Sequence, residues 1–388
     1  MVIVGGGMAG LTLALLLRRH GFDDITVLEA AELRGTDPDT PSFDARSTAL
    51  SEGGLEILAR AGIAERLGER AEPIRQVHVS RQGRPGVMRM SAADQGVERL
   101  GVVVENRWFG HALLEAVRAD QAIRLLSPVQ LTSLERHLGG YRARLDDGTE
   151  LDAGLLVAAD GARSRTRALL GISAHTEDSG EDALIANVSM DAPHEGIARE
   201  RFVDEGPLAL LPLTGQRMTL VWTGPRQWIP ELEALSDEAL ARRVEERFAG
   251  RVGTITHIGR RHRYPLVLTR ACAQAVPHAV VVGNAAHALH PVAAQGFNLT
   301  LRDLVSLAET LEGAEHPGEL RRLDAWYQAR QGDQAMIDRF SGGLSALFRT
   351  EFPPAAHARQ LGLMALDALA PARRAFARRA MGLHWRRS

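Results

Sequence analysis

The amino-terminal segment alternates between short apolar runs and one glycine-rich turn. Val2-Ile3-Val4 is an apolar run of strand length, residues 5–10 (GGGMAG) form the turn, and residues 9–19 have the apolar spacing of a helix that Gly21 ends. Residues 25–29 (ITVLE) form a second strand. The order strand, turn, helix, strand predicts a right-handed βαβ unit of a doubly wound parallel sheet. The apolar stretch of residues 2–17 is marginal for a membrane-spanning helix, which takes ~20 residues, and it lacks the positive start of a signal peptide, so we interpret it as folded structure.

A second, antiparallel sheet is predicted further along the chain. Helical patterns cover residues 51–67 and 105–119, a strand of a different sheet covers 77–81, and a hairpin is formed by 141–145 and 150–156. Between about residues 181 and 265, glycine and proline separate consecutive strand-like runs at 185–190, 198–203, 208–213 and 218–223. A helix follows at 236–248, then a buried strand at 279–283 and a helix at 296–311.

This order predicts an α/β (α+β) fold whose dinucleotide-type domain is discontinuous. We assign residues 1–75, 101–176 and 272–345 to that domain and residues 76–100 and 177–271 to an antiparallel-sheet substrate domain. Residues 346–388 form a carboxyl-terminal helical segment, whose end carries arginines interleaved with large apolar side chains. That basic tail fits either an anionic membrane surface or a helix packed on the protein itself, and the sequence leaves both open.

Composition removes several classes of chemistry. All 46 basic residues of the 388 are arginine, so a Schiff-base lysine, a pyridoxal-phosphate anchor and a P-loop lysine are excluded. The single cysteine, Cys272, excludes an internal disulfide and predicts a reducing, cytoplasmic location. A net charge of −2 provides no basic field for nucleic acid.

The turn after the first strand has the glycine spacing of a dinucleotide site. Gly5 permits the tight turn, Gly7 lets the backbone approach a pyrophosphate, and Gly10 lets the helix lie close to the sheet. Glu29 ends the second strand, where a carboxylate accepts hydrogen bonds from both hydroxyls of an adenosine ribose. This motif by itself fits either FAD or NAD.

Two later motifs decide between these cofactors. Residues 157–164 (VAADGARS) follow a strand, and residues 283–303 (GNAAHALHPVAAQGFNLTLRD) open the last helical segment. With the first motif, in this order, they resemble the single-component FAD-dependent aromatic hydroxylases, whose fold is that of p-hydroxybenzoate hydroxylase. Residues 43–46 (FDAR), 104–107 (VENR) and 206–212 (GPLALLP) narrow the resemblance to the ubiquinone-biosynthesis (UbiH-type) hydroxylases, the 2-octaprenyl-6-methoxyphenol hydroxylases.

The resemblance implies roles for individual residues. The first motif binds the ADP moiety of FAD, while Asp160 and Gly161 support both the flavin and the nicotinamide cofactor. Arg46 and Arg107 lie near the flavin phosphates or ribityl chain, and Asn284 hydrogen-bonds a ribityl hydroxyl. The backbone of Gly296, Phe297 and Asn298 donates to the flavin pyrimidine at the start of a helix, whose dipole favours reduced, anionic flavin.

Some residues near these motifs are expected to be structural, or depart from the family. The family commonly has glycine where this chain has Ala294 and Thr300, which affects the loop around the flavin ring rather than the FAD assignment. His287 and His290 lack a third ligand, so no metal site is expected. Asp303 is expected to support the flavin domain, and Trp222 to lie in the core.

The implied function is hydroxylation of a lipophilic prenylated phenol in ubiquinone biosynthesis. Together with the apolar residues of the predicted sheet, such as Leu208, Leu210, Leu211 and Val221, it predicts an apolar exit for the prenyl tail between that sheet and the flavin ring. NADH or NADPH reduces FAD, O2 forms a flavin C4a-hydroperoxide, and its distal oxygen is transferred to the phenol ring. The alternatives are hydroxylation of another aromatic substrate and a flavin-binding scaffold of a biosynthetic complex. A flavin halogenase is disfavoured, because halogenases of this lineage use a lysine and the chain has none. Peripheral membrane contact and association with other ubiquinone-biosynthesis proteins are further expectations, and no catalytic side chain can be named.

Overall fold

The computed structural model describes residues 1–33, 44, 46–83, 87–289 and 295–349, with residues 371, 374, 377, 378, 381 and 382 of the tail. The described strands are β1 (Val2–Val4), β2 (Ile25–Leu28), β3 (Ser47–Ser51), β4 (Ala71–Ile74), β5 (Gln76–Arg81), β6 (Val87–Ser91), β7 (Gly101–Glu105), β8 (Ile123–Leu126), β9 (Leu131–His137), β10 (Gly140–Leu145), β11 (Glu150–Ala153), β12 (Leu156–Ala158), β13 (Ala174–Met190), β14 (Ile197–Val203), β15 (Gly206–Leu213), β16 (Arg217–Pro225), β17 (Ile255–Ile258), β18 (His262–Ala271), β19 (Ala275–Val276), β20 (Ala279–Val281) and β21 (His287–Ala288). The helices are α1 (Met8–Arg19), α2 (Glu52–Arg60), α3 (Ala64–Leu67), α4 (Ala92–Gln95), α5 (Asn106–Ala119), α6 (Arg165–Leu169), α7 (Ile229–Glu233), α8 (Asp237–Phe248), α9 (Gly296–Leu311) and α10 (Leu320–Arg349).

The predicted βαβ unit lies at the centre of a six-stranded sheet. Its order is β19-β20-β12-β1-β2-β8, and every neighbouring pair is parallel except β19 with β20. Helix α1 packs against α5 and α9 on one face, with leucines such as Leu11, Leu13 and Leu16 fully buried. The chain therefore forms a doubly wound α/β core, as its amino-terminal pattern predicts.

Two predicted elements are each divided into two in the structure. The helix predicted at 51–67 is divided into α2 and α3, because Gly62 adopts a positive φ of 76°. There the Gly62 and Ile63 amides donate to the carbonyls of Ala59 and Leu58, which is the Schellman pattern that ends a helix. The strand predicted at 150–156 is also divided: β11 completes the hairpin with β10, and β12 joins the six-stranded sheet.

The predicted antiparallel sheet is a nine-stranded sheet. Its order is β21-β18-β13-β16-β15-β14-β5-β6, and β17 also pairs with β13. Strands β5 and β6 join it from early in the chain, through parallel pairing of β5 with β14. The remaining pairs are antiparallel.

The two faces of this sheet have different neighbours. The outer face, which carries Leu208, Leu210, Leu220 and Trp222, packs under α7 and α8, and Trp222 is fully buried in this core. The inner face, which carries Thr219, Val221, Leu211 and Glu200, is directed towards the three-stranded sheet β3-β7-β4. The Ser47 hydroxyl donates to the Thr219 hydroxyl across that boundary at 2.9 Å. No helix within the described residues is long and apolar enough to cross a membrane.

Candidate cofactor-binding cleft

The three sequence motifs meet in one cleft of about 490 Å³. It lies at the carboxyl ends of β1, β2, β12 and β20, where a doubly wound sheet binds its ligands. Its lining combines Gly5, Gly7 and Glu29 of the first motif, Asp160, Gly161, Arg163 and Arg165 of the second, and Gly283, Asn284, Phe297 and Thr300 of the third. A cleft that joins all three motifs fits an extended cofactor rather than a single phosphate.

The first turn brings backbone against backbone. Gly5 has a φ of 116°, and a Cβ there would lie 2.4 Å from the carbonyl oxygen of Ala159. A Cβ on Gly10 would lie 1.9 Å from the carbonyl oxygen of Gly5. Neither position has room for a side chain, so the turn leaves the start of α1 open to a negatively charged group. Gly7 is the residue immediately before α1 and lines the cleft.

Glu29 is held in place by backbone amides. Its Oε2 accepts from the Gly6 amide at 2.7 Å, and its Oε1 accepts from the Ala31 amide at 2.8 Å. Each carboxylate oxygen retains a further lone pair, so the group can still accept hydrogen bonds from two hydroxyls. This geometry fits an unphosphorylated ribose at this end of the cleft.

Asp160 both lines the cleft and holds its own turn. Its carboxylate accepts from the Ser164 hydroxyl and, at 2.9 Å each, from the amide and hydroxyl of Thr166. These bonds fix the start of α6, while Gly161 takes a φ of 85°. Arg163, inside the second motif, and Arg165, just after it, are exposed residues that line the cleft, and sequence reasoning assigned neither a role. In an arginine-rich chain, their residue type alone carried no signal.

A buried arginine connects the second motif to the third. The Nη1 of Arg167 donates to the carbonyl of Ala285 at 2.6 Å and to that of Ala162 at 3.3 Å. Sequence reasoning missed this residue too. Because Arg167 is largely buried, the contact fixes the position of the segment that carries Asn284.

The other end of the cleft is formed by the start of α9. Phe297 and Thr300 line the cleft there, and Asn284 is exposed into it. The amides of residues 296–298 are in the first turn, where a helix has no internal acceptor for them. The Asn298 side chain is used structurally: its Oδ1 accepts from the Ser51 amide at 2.8 Å, and its Nδ2 donates to the Ala49 carbonyl at 2.9 Å. His290 and Ala294 lie outside the described residues.

Arg46 and Arg107 lie at the boundary between the nine-stranded sheet and the three-stranded sheet β3-β7-β4. They are not among the described residues that line the cofactor cleft. Arg46 pairs with Asp44 at 2.6 Å and lies 4.4 Å from the ring centre of Tyr264. Arg107 pairs with the buried Glu105 at 3.0 Å, and no described residue accepts a hydrogen bond from its buried Nε. Contact of either arginine with a flavin remains a prediction.

Asp303 lies in a buried polar network behind the cleft. It accepts from His287 at 2.7 Å and from Arg330 at 2.6 Å, and its backbone carbonyl accepts from Trp326. Burial alone would raise the pKa of Asp303, but the hydrogen bond from His287 and the charge of Arg330 hold that pKa below its usual value. The residue connects helices, in agreement with the structural role predicted for it. Among the described residues, no group of His, Cys, Asp and Glu is arranged to hold a metal ion.

This fold and this cleft define a flavoprotein of the monooxygenase type. A family model described as FAD binding domain matches residues 1–337. The chain is 35% identical to ubiquinone hydroxylase UbiL of Rhodospirillum rubrum over 98% of this chain and 89% of that protein. It is 31% identical to the 3-demethoxyubiquinol 3-hydroxylase of Escherichia coli over 99% of this chain and 98% of that protein.

The chain belongs to the FAD-dependent hydroxylase family of ubiquinone biosynthesis. It is an FAD-dependent aromatic hydroxylase, and NAD(P)H is the co-substrate typical of the family. The fold agrees with that of p-nitrophenol 4-monooxygenase PnpA from Pseudomonas putida, with a TM-score of 0.80 at 19% identity over 100% of this chain and 98% of that one. The p-hydroxybenzoate-hydroxylase-type fold predicted from the sequence is thus confirmed.

Proposed function

We propose that this protein hydroxylates a lipophilic, prenylated phenol of the 2-polyprenyl-6-methoxyphenol type in ubiquinone biosynthesis, using FAD, NAD(P)H and O2. The observation that carries the proposal is the single cleft in which all three motifs meet, in a chain whose relatives are named as ubiquinone hydroxylases. Hydroxylation of a different aromatic substrate on the same cofactor is the alternative.

The cleft suggests how FAD would be held. Gly5, Gly7, Gly10 and Glu29 would hold the adenosine end, because that turn is open to phosphate and ends beside a fixed carboxylate. Asp160 and Gly161 would border the middle of the cofactor. Asn284 and the amides of Gly296, Phe297 and Asn298 would hold the ring end, and Arg46 and Arg107 would approach from the boundary between the sheets.

Bound FAD, once reduced, supplies the chemistry that activates O2. The protein's own part is to bind, orient and exclude water. The amides at the start of α9 stabilise negative charge on a ring placed there, because the amino-terminal end of a helix is electropositive. The hydrogen bonds around Asp160 and the contact between Arg167 and Ala285 would hold the second and third motifs in place on the wall of the cleft.

The inner face of the nine-stranded sheet is the proposed substrate surface. Ile185, Ala209, Leu211 and Val221 lie on that face and stay partly exposed, which suits an apolar ligand. Two leucines expected from the sequence to line an apolar exit do not lie there. Leu208 and Leu210 point to the outer face and are fully buried under α7 and α8, since successive side chains of a strand alternate between faces.

Substrate-stimulated NAD(P)H oxidation tests this proposal. The rate should increase with the first one or two prenyl units on a 6-methoxyphenol, because each buried CH₂ contributes ~0.8 kcal/mol. It should be negligible with p-hydroxybenzoate, which has no such tail. Equal stimulation by the polar acid would contradict the prenylated-phenol proposal and leave the hydroxylase family intact. Product analysis would then identify the ring carbon.

Domain boundaries and partners complete the proposal. We assign residues 1–75, 101–176 and 272–345 to the FAD-binding domain, 76–100 and 177–271 to the substrate domain, and 346–388 to the carboxyl-terminal segment. Most of that segment, including the basic tail, lies outside the described residues. Peripheral contact with a membrane would bring the protein to a lipophilic substrate, and flotation with liposomes measures it.

A further inference from the structure

A second cleft, of about 590 Å³, lies on the outer face of the nine-stranded sheet. Strands β5, β6 and β14 form its floor, and the end of α8 forms one wall. It is lined by His78, Ser80, Val87, Arg89, Arg199, Arg201, Phe248 and Arg251. None of these residues lines the cofactor cleft, so the second cleft needs a separate explanation.

Strand register concentrates positive charge in this cleft. Arg199 lies opposite His78 in the parallel pair of β14 and β5, and His78 lies opposite Arg89 in the antiparallel pair of β5 and β6. Arg201 lies opposite Ser80 in the next row on the same face. Arg89, Arg199 and Arg201 therefore project from the same face of three adjacent strands, so their positive charges share one surface.

Three of these guanidinium groups have no acidic partner within the described chain. Arg199, Arg201 and Arg251 form no ion pair with a described residue, and the charge of Glu195 reaches Arg199 only at longer range. Arg201 is only 8% exposed, and none of the described residues accepts a hydrogen bond from its buried Nε. Burial first, and then the charge of Arg251, lowers the pKa of Arg201; burial also lowers that of Arg199.

A buried arginine with an unpaired N–H donor lowers the free energy of unfolding unless an anion accepts the missing hydrogen bond. We propose that this cleft binds a phosphate group, either a soluble pyrophosphate or phosphate ester or the headgroup of an anionic lipid. Arg201 forms the floor of the site, Arg199 and Arg251 flank it, and the Ser80 hydroxyl supplies a neutral donor. Guanidinium groups suit this ligand because their planar pairs of N–H donors match phosphate oxygens. The site is independent of the cofactor cleft and of the proposed function.

Titration of the FAD-loaded full chain with inorganic pyrophosphate tests the site. Calorimetry at constant ionic strength should show saturable binding, and the melting temperature should rise with ligand concentration. The variants Arg201→Gln and Arg251→Gln should each weaken binding about tenfold, because each loses charged hydrogen bonds to the anion. Arg243→Gln is the matched control, since Arg243 is an exposed arginine of α8 outside the cleft.

A second arm separates the two sources of phosphate. Co-sedimentation uses phosphatidylcholine vesicles with and without phosphatidic acid. Binding only to the vesicles with phosphatidic acid, lost in Arg201→Gln and Arg251→Gln, identifies a lipid headgroup; binding to pyrophosphate alone identifies a soluble ligand. Far-UV circular dichroism and flavin absorbance confirm that each variant is folded, and Arg251 is exposed enough to be replaced safely. The site is refuted if neither probe binds saturably, or if both variants bind as the parent or the Arg243→Gln control does.

Discussion

The carboxylate of Glu29 shows how one side chain serves fold and ligand together. Two backbone amides hold it, and both belong to residues next to the cofactor cleft. A bound ribose would present its hydroxyls to an acceptor that is already oriented. FAD binding should therefore depend on the negative charge of Glu29.

Replacing Glu29 should therefore release FAD. Glu29→Lys places a cation and hydrogen-bond donor where two hydroxyls need an acceptor, and flavin should be lost on purification. Glu29→Gln, which keeps the shape and one acceptor, should weaken FAD binding about tenfold or more, measured by flavin fluorescence. Glu69→Lys, at an exposed glutamate away from the cleft, should retain flavin. Full flavin occupancy in Glu29→Lys would contradict the assignment.

Glu200 is a single side chain that makes the stability of the protein depend on pH. It is partly buried on the inner face beside Val79 and Ala209, and burial raises its pKa from 4.5 to about 7. Between these pH values the folded protein holds a proton that the unfolded chain releases. This group therefore makes the free energy of unfolding decrease as pH rises from about 4.5 to 7, by up to about 3 kcal/mol.

Glu200→Gln should remove that contribution. Urea unfolding at pH of about 5 and about 8 should show a smaller loss of stability in the variant than in the parent. Glu69→Gln, at an exposed carboxyl, should follow the parent curve. An identical pH dependence of Glu200→Gln and parent would show that this carboxyl ionises normally.

At the scale of helices and strands, the local sequence pattern predicts an element well, whereas pairing between residues distant in sequence cannot be predicted from it. The sequence predicted β1, α1, β2 and α9 closely, because each has its own apolar period and stop signal. It missed the break between α2 and α3, which depends on one glycine, and the division of β11 from β12. Residues 156–158 form a separate strand because they pair with β1 and β20, distant in sequence, and a local pattern cannot show that pairing.

Helices α9 and α10 depend on each other through Asp303. Asp303→Ala would leave Arg330, which is 7% exposed, without one of its carboxylate partners, and should cost about 3–5 kcal/mol of unfolding free energy. Glu309→Ala, on the same helix, removes an exposed pair with Arg60 and should cost under about 1 kcal/mol. Chemical denaturation of the two variants compares these values; equal losses would show that the buried network adds nothing.

At the scale of the whole molecule, the cofactor cleft was predictable because the carboxyl ends of neighbouring parallel strands meet. The second cleft, on the outer face of the nine-stranded sheet, could not be predicted from the sequence. Its residues span positions 78 to 251 and come together only through the pairing of β5 with β14 and the position of α8. The apolar residues that face the proposed substrate surface could be predicted only in part. The apolar runs identify the strands, but strand register decides that Leu211 lies on the inner face and Leu210 on the outer face.

The inner face then gives a test of substrate class that leaves the cofactor untouched. Val221 is partly buried there, directly opposite Ile185 and Ala209 on the neighbouring strands. Val221→Asn replaces an apolar contact with a polar one, so the KM for a prenylated methoxyphenol should rise about tenfold while FAD affinity stays unchanged. The gain in affinity per added prenyl unit should also shrink, because the variant buries the tail less well. Val267→Asn, at a solvent-exposed position of the same sheet, should leave both quantities unchanged. If Val221→Asn keeps the parental KM and chain-length dependence, the prenyl tail does not lie against this part of the inner face.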